Sequence, residues 1–571
     1  MASKQHEQLA GARPGHGGRS RRARAALTAT AAFTVVASLG LYGSSQALAA
    51  GSARPGVGTA RSGVGSARPG SAARTSVVKS PLGQEHWSTA TVAPGVQVST
   101  VTLSNAASPF WTVTVEQPVT SKVTGSAADA EVETGSWARA AASRLRTDGF
   151  QPRVEAVPWP DYSDTPHGLM GYRVRVGNYP TQAAAATAAA AVTAAGFTTT
   201  TEWTGYDAST PATLENIHVA VVDPKVFTGT VEGTHDGALA QRQTPSAVAD
   251  QLGSLVATNG GFFVMDSGDG IPGTQSGLGV YNGKPESLAS GARAALVIQD
   301  NGKKFQVANL TSSAVAQVGG SRYAVHGVNR VPGTVRDCGL SGATPTTHPE
   351  QDIDCYESND LVLFTGELGT ALPAGAGTQA VLDPSGRVVS VGARGGSVPA
   401  GDTVLQGIGT ASTWLSRQAV VGKAVHVSES VRNAATGASI PLVAGTSIVS
   451  AAPLLVQNGR TDIDAAAEGV VDPQDLSFNY QWANARQPRT IAGVDAHGDL
   501  LLVTVDGRLT AGSEGFTLAE EAAFMRSLGA VQALNLDGGG STAMAVDGNL
   551  VTNPSDATGE RPVGDTVQVL P

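Results

Sequence analysis

The sequence predicts a mixed α+β fold in which strands outnumber helices. Glycine accounts for 70 of the 571 residues, which favours turn-rich β structure over helical bundles. Two stretches, 111–157 and 172–203, each run from a strand through a helix to a strand. Near the C-terminus, two apolar strands at 500–505 and 530–536 flank a helical pattern. We therefore expect one large mixed-sheet domain and a smaller module of two βαβ units.

Length and charge exclude some classes of protein. With 571 residues, of which 41% are hydrophobic, the chain can bury a large core and divide into more than one domain. The formal net charge of −9 argues against a general nucleic-acid binder, which normally shows a basic face.

The first 50 residues are expected to be a signal peptide. A basic segment around Arg19–Arg24 precedes an apolar run at 25–41, and Ala47-Leu48-Ala49 fits a cleavage site. Arg21-Arg22 is typical of twin-arginine export, but Arg24 stands where that signal has an apolar residue, so Sec export is favoured. An uncleaved signal anchor is the alternative. Export by the Sec or the twin-arginine route predicts a secreted or cell-wall-associated protein.

Residues 51–80 are expected to be a linker. The hexapeptide GSARPG occurs at 51–56 and again at 65–70, in a stretch of Gly, Ala, Ser, Pro and Arg. Such a composition buries too little apolar surface to fold.

Residues 109–207 carry the two βαβ units. Strands at 111–115 and 172–176 are each followed by an alanine-rich helix that ends in Gly-Phe, with further strands at 153–157 and 198–203. This pattern resembles a SPOR domain, a ferredoxin-like (βαββαβ) module that in its family binds peptidoglycan glycan strands stripped of stem peptides. The resemblance implies peptidoglycan as a partner. A small packing domain without a ligand is the alternative.

The C-terminal region is organised around a glycine-rich loop. Thr517 and Glu520 form a capping box for a helix that stops at Gly529. The strand at 530–536 then delivers Asp537 to a sheet edge. Because glycine tolerates backbone dihedral angles of either sign, the N–H groups of the following loop can point at an anion. The predicted phosphate ligands are Gly538, Gly539, Gly540, Ser541 and Thr542, assisted by Arg489, Arg508 and Arg561.

Several blocks of sequence together resemble the phosphodiester glycosidase family. They are GVDAHGDLLLVTVDGR at 493–508, GFTLAEEAAFMRSLGAVQALNLDGGGSTAM at 515–544, NPSDATGERPV at 553–563 and NGGFF at 259–263. This family includes the enzyme that uncovers mannose 6-phosphate by removing N-acetylglucosamine. The resemblance implies hydrolysis of a sugar 1-phosphodiester to a free sugar and a phosphomonoester.

The family pattern also predicts how the domains are arranged. Residues 92–103 resemble the opening strand of the family, and the next family-like strand is at 217–222. The SPOR-like module is therefore expected as an insertion in a glycosidase domain made of 81–108 and 208–571. Insertions are tolerated where the chain ends lie close together at the surface.

Three carboxylates are candidates for catalysis. Asp537 is preferred as base or nucleophile because it ends a strand beside the predicted phosphate site. The alternative is that it only starts the turn by accepting backbone N–H bonds. Asp506 has a stronger alternative, since Asp-Gly between strands is an ordinary hairpin turn. The capping role of Glu520 explains that residue fully.

Other polar residues are candidates for binding substrate. Asn259 ends the strand at 255–258, and Gly260 and Gly261 add two unhindered N–H groups. Further candidate sugar or phosphate ligands are Asn329, Asp556, Glu560 and Arg561. His326 is either an active-site group or structural. No metal site or cofactor is predicted, although several Asp–Gly turns leave room for a structural cation.

Cys338 and Cys355 are expected to form a disulfide, since an even pair in one loop of an exported protein usually does so. The sequence thus predicts an exported phosphodiester glycosidase held at the cell wall. The alternative is a non-catalytic glycan-binding protein of the envelope. Convergence of Asn259, Arg489 and Asp537 on one pocket would discriminate in favour of the enzyme.

Overall fold

The computed structural model describes residues 74–122, 125–339, 342, 344–346, 348–510 and 512–571. The expected signal peptide and residues 51–73 of the expected linker lie outside these ranges. In the described ranges, none of the helices has the length and apolar character needed to cross a membrane.

Strands make up most of the regular structure. The helices are α1 (Gly135–Thr147), α2 (Gln182–Ala194), α3 (Pro245–Leu252), α4 (Gly409–Gln418), α5 (Leu476–Asn479) and α6 (Leu518–Ser527). The first strands are β1 (Arg74–Lys79), β2 (Gln84–Ala93), β3 (Val96–Ser104), β4 (Trp111–Thr120), β5 (Ala127–Ala130), β6 (Pro152–Pro158), β7 (Leu169–Tyr179), β8 (Thr198–Trp203), β9 (Leu214–Val222), β10 (Thr230–Thr234) and β11 (Val256–Asn259). The middle strands are β12 (Gly279–Tyr281), β13 (Lys284–Ser287), β14 (Ala292–Gln299), β15 (Lys304–Val318), β16 (Ser321–Val325), β17 (Gly327–Val328), β18 (Thr334–Arg336), β19 (Asp354–Tyr356), β20 (Leu361–Phe364), β21 (Gly375–Leu382), β22 (Val388–Arg394) and β23 (Thr403–Gly407). The last strands are β24 (His426–Asn433), β25 (Ser439–Ile440), β26 (Ser447–Ala451), β27 (Leu454–Gln457), β28 (Arg460–Thr461), β29 (Arg489–Asp495), β30 (Leu500–Val505), β31 (Ala530–Asn535), β32 (Met544–Val546), β33 (Asn549–Leu550) and β34 (Thr566–Leu570).

A nine-stranded antiparallel sheet forms the centre of the molecule, in the order β1-β2-β3-β9-β30-β29-β31-β27-β28. Strand β30 is apolar except for Thr504, and its apolar side chains face both sides of the sheet. Leu500 and Leu502 pack into the core on one side of the sheet. Leu501 and Val503 pack into the core on the other side. A strand buried on both faces is expected to be a nearly continuous apolar run.

Helix α6 covers one face of this sheet and sets the direction of β31. The capping box of Thr517 and Glu520 is present, which confirms the predicted helix start. Leu518 and Met525 belong to the core under the helix. Gly529 has a φ of 89°, so the chain turns there into β31 as expected.

Three local expectations are corrected. Residues 74–79, placed in the linker, form β1 and pair with β2. Residues 92–103 do not form one strand, because β2 and β3 meet there in a tight hairpin. Asp506-Gly507 is not a hairpin turn either. Strands β29 and β30 are joined at 496–499, at the opposite end of β30.

The module with two βαβ units has a sheet of its own. Strands β6, β7, β4 and β8 are neighbours in that order and all pairs are antiparallel, with β5 also pairing with β4. Helices α1 and α2 form the connections from β4 to β6 and from β7 to β8. The chain leaves the nine-stranded sheet after β3 and returns to it at β9, which pairs with β3 along its whole length.

Smaller sheets complete the structure. Strands β10, β34, β11, β32 and β33 form one sheet in that order. An eight-stranded sheet contains β13, β12, β26, β14, β15, β24 and β25, with β16 beside β15, and another sheet has the order β17-β20-β23-β21-β22. Strands β18 and β19 form a two-stranded sheet, which carries the cysteine loop.

The predicted disulfide between Cys338 and Cys355 is present. Both residues are completely buried. Replacing both by Ser is expected to lower the free energy of unfolding by about 3 kcal/mol, because the bond restricts the unfolded chain over a short loop. Urea titration of the variant and the parent measures this difference. A reducing agent should destabilise the parent by a similar amount and leave the variant unchanged, whereas equal stability of variant and parent would contradict the prediction.

Candidate functional site

Asp537 lies where the ends of two strands from different sheets meet. It follows β31 of the nine-stranded sheet, and its N–H donates to the carbonyl oxygen of Gly260 at 3.1 Å. Asn259, the last residue of β11, donates from Nδ2 to the carbonyl oxygen of Asp537 at 2.7 Å. The backbone of Asp537 is therefore fixed from both sides.

The Asn259 side chain has no capacity left for a substrate. Its Oδ1 accepts from the Thr490 hydroxyl at 2.7 Å and from the Ala543 N–H at 3.1 Å. The side chain is completely buried. The predicted role of Asn259 as a substrate ligand is corrected, because a buried amide with donors and acceptors satisfied acts by holding the loop of Asp537 in place.

Gly260 and Gly261 are occupied by a carboxylate of the protein itself. The Gly261 N–H donates to Asp565 Oδ1 at 2.8 Å, and the Gly260 N–H donates to the Asp565 carbonyl oxygen at 2.9 Å. A Cβ atom on Gly261 would overlap the carbonyl oxygen of Ser450. These glycines are thus required for close packing, and their N–H groups do not face a substrate.

The Asp537 carboxylate is held in a half-buried position. Its Oδ1 accepts from the Gly538 N–H at 2.9 Å. Burial raises the pKa of Asp537 to about 6, although the Ser541 hydroxyl, the Arg561 guanidinium and the Gly538 N–H each act to lower it. A carboxylate with this pKa exchanges a proton close to neutral pH, as a general base requires.

Two of the three glycine N–H groups in the predicted phosphate nest are bonded within the protein. The Gly538 N–H is bonded to Asp537, and the Gly539 N–H donates to the Pro488 carbonyl oxygen at 2.9 Å. The N–H groups of Ser541 and Thr542 close a 3₁₀ turn on the carbonyl oxygens of Gly538 and Gly539. The loop therefore uses these amides to fold, and positive charge at the site has to come from side chains.

Arg561 supplies one such charge. Its Nε and Nη2 donate to the two oxygens of Asp556 at 2.8 and 3.0 Å, and its Nη1 lies 3.4 Å from the Ser541 hydroxyl. The ion pair packs so closely on Gly540 that a Cβ there would overlap both partners. About a quarter of each side chain is exposed. Arg561 and Asp556 thus lie together at the glycine loop.

Arg508 supplies the second charge. Its backbone is left-handed, with a φ of 59°, and its Nε donates to Gln487 Oε1 at 2.6 Å. Its two terminal nitrogens lie 3.4 Å from the position that a Cβ of Gly539 would take. Arg508 is half-buried, so its guanidinium lies beside the loop that carries Asp537.

Two other predicted site residues are buried and bonded to groups of the protein itself. Arg489 is paired with Glu521 at 3.0 Å, and it donates to the carbonyl oxygens of Phe516 and Trp482. Asp506 accepts from the backbone and side-chain amides of Asn553. Neither Arg489 nor Asp506 is more than 2% exposed. Both roles at the substrate are corrected, because these charges hold neighbouring segments together.

Three further candidates also have structural partners. Glu520 bonds to Arg486 at 2.6 Å in addition to closing the capping box. Glu560 accepts from the N–H and hydroxyl of Ser246 in the first turn of α3. Asn329 is bonded to Glu286 and Thr365, in contacts apart from the Asp537 loop. These contacts give each side chain a structural role, and a role in catalysis or substrate binding stays a prediction.

His326 also has structural contacts. It lies 3.4 Å from the Asp360 carboxylate, which is itself paired with Arg330. Among the described residues, no cluster of three or more His, Cys, Asp or Glu side chains could hold a metal ion.

Sequence reasoning missed Asp565 and Tyr281. The Tyr281 hydroxyl donates to Asp565 Oδ2 at 2.7 Å, and burial raises the pKa of Asp565 to about 6. The only sequence signal was a carboxylate directly before the apolar strand β34. Its partners lie 284 and 304 residues away along the chain, so the pattern around Asp565 did not reveal them.

Two family models match this chain. The phosphodiester glycosidase model matches residues 376–570, which include the Asp537 loop, Arg508 and Arg561. The SPOR domain model matches residues 136–199, within the module of two βαβ units.

Relatives support the same assignment. The N-acetylglucosamine-1-phosphodiester alpha-N-acetylglucosaminidases of Mus musculus and Bos taurus are 34% identical over 110 residues and 37% identical over 111 residues. These segments are 19% of this chain and 21% and 20% of those proteins, so the chain spans about a fifth of the length of the curated relatives it matches. The crystal structure of a protein from Burkholderia pseudomallei K96243, described as a putative exported protein, has a TM-score of 0.74 and 33% identity. It covers 87% of this chain and is itself covered completely. The chain therefore contains a region, residues 376–570, that matches the phosphodiester glycosidase family and a region, residues 136–199, that matches the SPOR domain.

Proposed function

We propose that this protein is an exported hydrolase that cleaves sugar 1-phosphodiester linkages, such as those of N-acetylglucosamine 1-phosphate, in cell-wall or extracellular glycopolymers. One observation carries the proposal. The Asp537 carboxylate, with a pKa of about 6, lies on a loop that the guanidinium groups of Arg508 and Arg561 both approach. A base beside two cations matches a reaction that expels a phosphate monoester.

The reaction breaks the bond between the sugar C1 atom and the phosphate oxygen. Phosphate is a good leaving group, so stabilising the departing anion matters more than donating a proton to it. Arg508 and Arg561 are proposed to bind the phosphate. Asp537 is proposed to act on the sugar side, either taking a proton from the attacking water or attacking C1 itself.

The neighbouring residues are proposed to position these groups. Asp556 holds the planar guanidinium of Arg561 through two hydrogen bonds. The Ser541 hydroxyl and the Gly538 N–H orient the Asp537 carboxylate. Asn259 keeps the backbone of Asp537 in place.

The domain organisation is part of the proposal. Residues 109–207 are proposed to be a ferredoxin-like SPOR module inserted into a glycosidase domain formed by 81–108 and 208–571. The pairing of β3 with β9 supports an insertion. The module is proposed to bind peptidoglycan glycan strands. The Cys338–Cys355 disulfide supports an envelope or extracellular location, and residues 1–50 are proposed to direct export.

The test is hydrolysis by the full chain of a panel of synthetic sugar 1-phosphodiesters that differ in the sugar. Release of free sugar and phosphomonoester from at least one member is the expected result. N-acetylglucosamine 1-phosphodiester is the first substrate to try. A protein that hydrolyses none of the panel but sediments with peptidoglycan would overturn the enzymatic proposal and leave a binding protein.

The pH dependence of this hydrolysis should report the ionisation of Asp537. Because the carboxylate must be deprotonated to act as base or nucleophile, kcat/KM is expected to rise with pH and reach half its maximum near pH 6. Initial rates at low substrate concentration, measured from about pH 4 to pH 8, give the profile. A rate that falls with rising pH over this range would mean that the essential carboxyl acts in its protonated form.

A further inference from the structure

The central strands of the SPOR module's sheet are covered on both faces by the protein itself. Helices α1 and α2 pack on one face, where Val113, Val174 and Leu145 belong to a common core. The other face carries Arg173 and Arg175, of which less than 5% is exposed. A glycan therefore has no free face over the central strands β4 and β7, whereas the edge strand β6 keeps exposed side chains.

A buried ionic network closes that second face. Both arginines bind Asp207, Arg173 at 2.7 Å and Arg175 at 2.5 Å. The Tyr480 hydroxyl, from the segment that follows α5, also donates to Asp207 at 2.5 Å. Burial raises the pKa of Asp207, the two guanidinium groups lower it, and the net shift is downward. The network holds the module's sheet face against the segment around Tyr480.

A pocket remains open on the connection between β6 and β7. Trp159 and Gly168 close this connection through a 2.8 Å hydrogen bond from the Trp159 N–H. The pocket has a volume of about 560 Å³ and is lined mainly by Trp159, Leu169, Pro158, Ala156, His167 and Asp161. About half of the Leu169 surface is exposed. This is an apolar depression with a polar rim.

The pocket is preformed because its loop is anchored to the rest of the chain. The Tyr162 hydroxyl donates to the Ala483 carbonyl oxygen at 3.1 Å. The Ala467 N–H donates to the Asp164 carboxylate at 2.7 Å. Binding here would therefore cost little ordering of the loop.

The lining suits a neutral sugar better than a charged group. An indole presents a flat apolar face to the C–H groups of a pyranose ring. Leu169 and Pro158 can contact an acetamido methyl group, while Asp161 and His167, 3.6 Å apart, can bond hydroxyls. The rim carries one carboxylate and one imidazole, so a phosphate would meet a negative charge there.

We propose that the pocket around Trp159 binds a neutral glycan strand containing N-acetylhexosamine, and that it is the site through which the SPOR module contacts the envelope. The inference rests on the proposed function, since it names the surface for the proposed glycan partner. It places recognition on the β6–β7 connection, because both faces of the sheet are covered at its central strands.

The same connection links this pocket to the candidate active site. Tyr162 bonds to Ala483, and the neighbouring Trp482 carbonyl accepts from Arg489 at the start of β29. The preceding residue, Pro488, accepts from Gly539 in the loop of Asp537. A strand bound at Trp159 is thus held on the segment that supports the catalytic loop.

The test is calorimetric titration of the full chain with chitotetraose, a soluble neutral tetramer of N-acetylglucosamine, in parallel with sedimentation on peptidoglycan stripped of stem peptides. Trp159→Ala is expected to weaken binding about tenfold or more, which is a readily measured difference in Kd. Because Trp159 also packs into two cores, Leu169→Asp provides a second variant at the exposed rim. Its melting temperature should match that of the parent.

Matched controls are available elsewhere in the described structure, in helix α4 and strand β22. Trp414→Ala replaces a partly buried indole, and Val389→Asp replaces an aliphatic side chain of similar exposure to Leu169. Both are expected to bind like the parent. Undiminished binding by Trp159→Ala and Leu169→Asp, or no binding of either glycan by the parent, would overturn the proposed pocket. Hydrolysis of a monosaccharide 1-phosphodiester by the parent tests the proposed reaction separately, so either proposal can fail alone.

Discussion

Replacing Asp537 by Asn is expected to reduce the hydrolysis of a sugar 1-phosphodiester by about 10²- to 10⁴-fold, the range typical of losing a general base. Asn keeps an oxygen that can accept from the Gly538 N–H but cannot take up a proton. The loss should appear in kcat more than in KM, because Asp537 acts on the reacting atoms. Steady-state kinetics of variant and parent measure it.

The fold of this variant should be intact. The pKa of Asp537 is raised in the folded state to about 6. As the pH rises from the pKa of this group in the unfolded chain to its pKa in the folded protein, ionisation therefore lowers the stability of the folded state. Removing the ionisable group therefore should not lower the melting temperature at neutral pH. Asp547→Asn is the matched control, since Asp547 lies in an exposed turn of the same region with a φ of 47°. Equal activity of the Asp537 variant and the parent would remove Asp537 from the mechanism.

Replacing Arg489 by Met is expected to have the largest effect on stability. The change leaves Glu521, which is completely buried, without the cation 3.0 Å away. Removing one partner of a buried ion pair costs about 3 to 5 kcal/mol. Chemical denaturation of variant and parent at about pH 9, above the pKa of Glu521 in the parent, measures the loss. Removing the Arg489 cation raises the pKa of Glu521 further in the variant.

The pH dependence of this loss identifies its cause. Burial raises the pKa of Glu521 to about 8, even beside Arg489. Below that pH the carboxyl can accept a proton, so the variant should lose less stability than it does above it. The double variant Arg489→Met with Glu521→Leu should recover most of the loss. As a control, Arg526→Met changes an exposed residue in the last turn of α6 and should cost less than about 0.5 kcal/mol. An equal loss of stability in Arg489→Met and Arg526→Met would contradict the account.

Local patterns predicted the elements around the site well. The apolar run of β30 and the capping box of α6 depend on nearby residues, so the sequence alone was enough to predict both. The same reasoning placed Asp537 at the end of β31. Each of these features is decided within one element and its immediate neighbours.

The roles of individual polar side chains were not predictable in this way. Asp506 precedes a glycine as a hairpin residue would, but its carboxylate bonds to Asn553, 47 residues later. The role of Arg489 was missed for the same reason, because its partner Glu521 lies in another element, helix α6. Such contacts depend on how the sheets and helices pack together.

The glycine loop shows the same limit within a single motif. Three glycines allow a nest of N–H groups, but the Pro488 carbonyl takes the Gly539 N–H and Asp537 takes the Gly538 N–H. The sequence predicts that Asn259, Arg489 and Asp537 converge on one pocket, and the structure meets this expectation only in part. Asn259 and Arg489 do lie beside the loop of Asp537, but both side chains are buried and support it.

The most direct test of the central claim is hydrolysis in water labelled with oxygen-18. The account requires cleavage of the bond between the sugar C1 atom and the phosphate oxygen, so the label should enter the sugar and the phosphomonoester should form without it. Mass spectrometry of the phosphomonoester gives the answer, with the Asp537→Asn variant as the control for background hydrolysis. Label in the phosphate would show that the phosphorus–oxygen bond is cleaved, which would make this protein a phosphodiesterase and contradict the account.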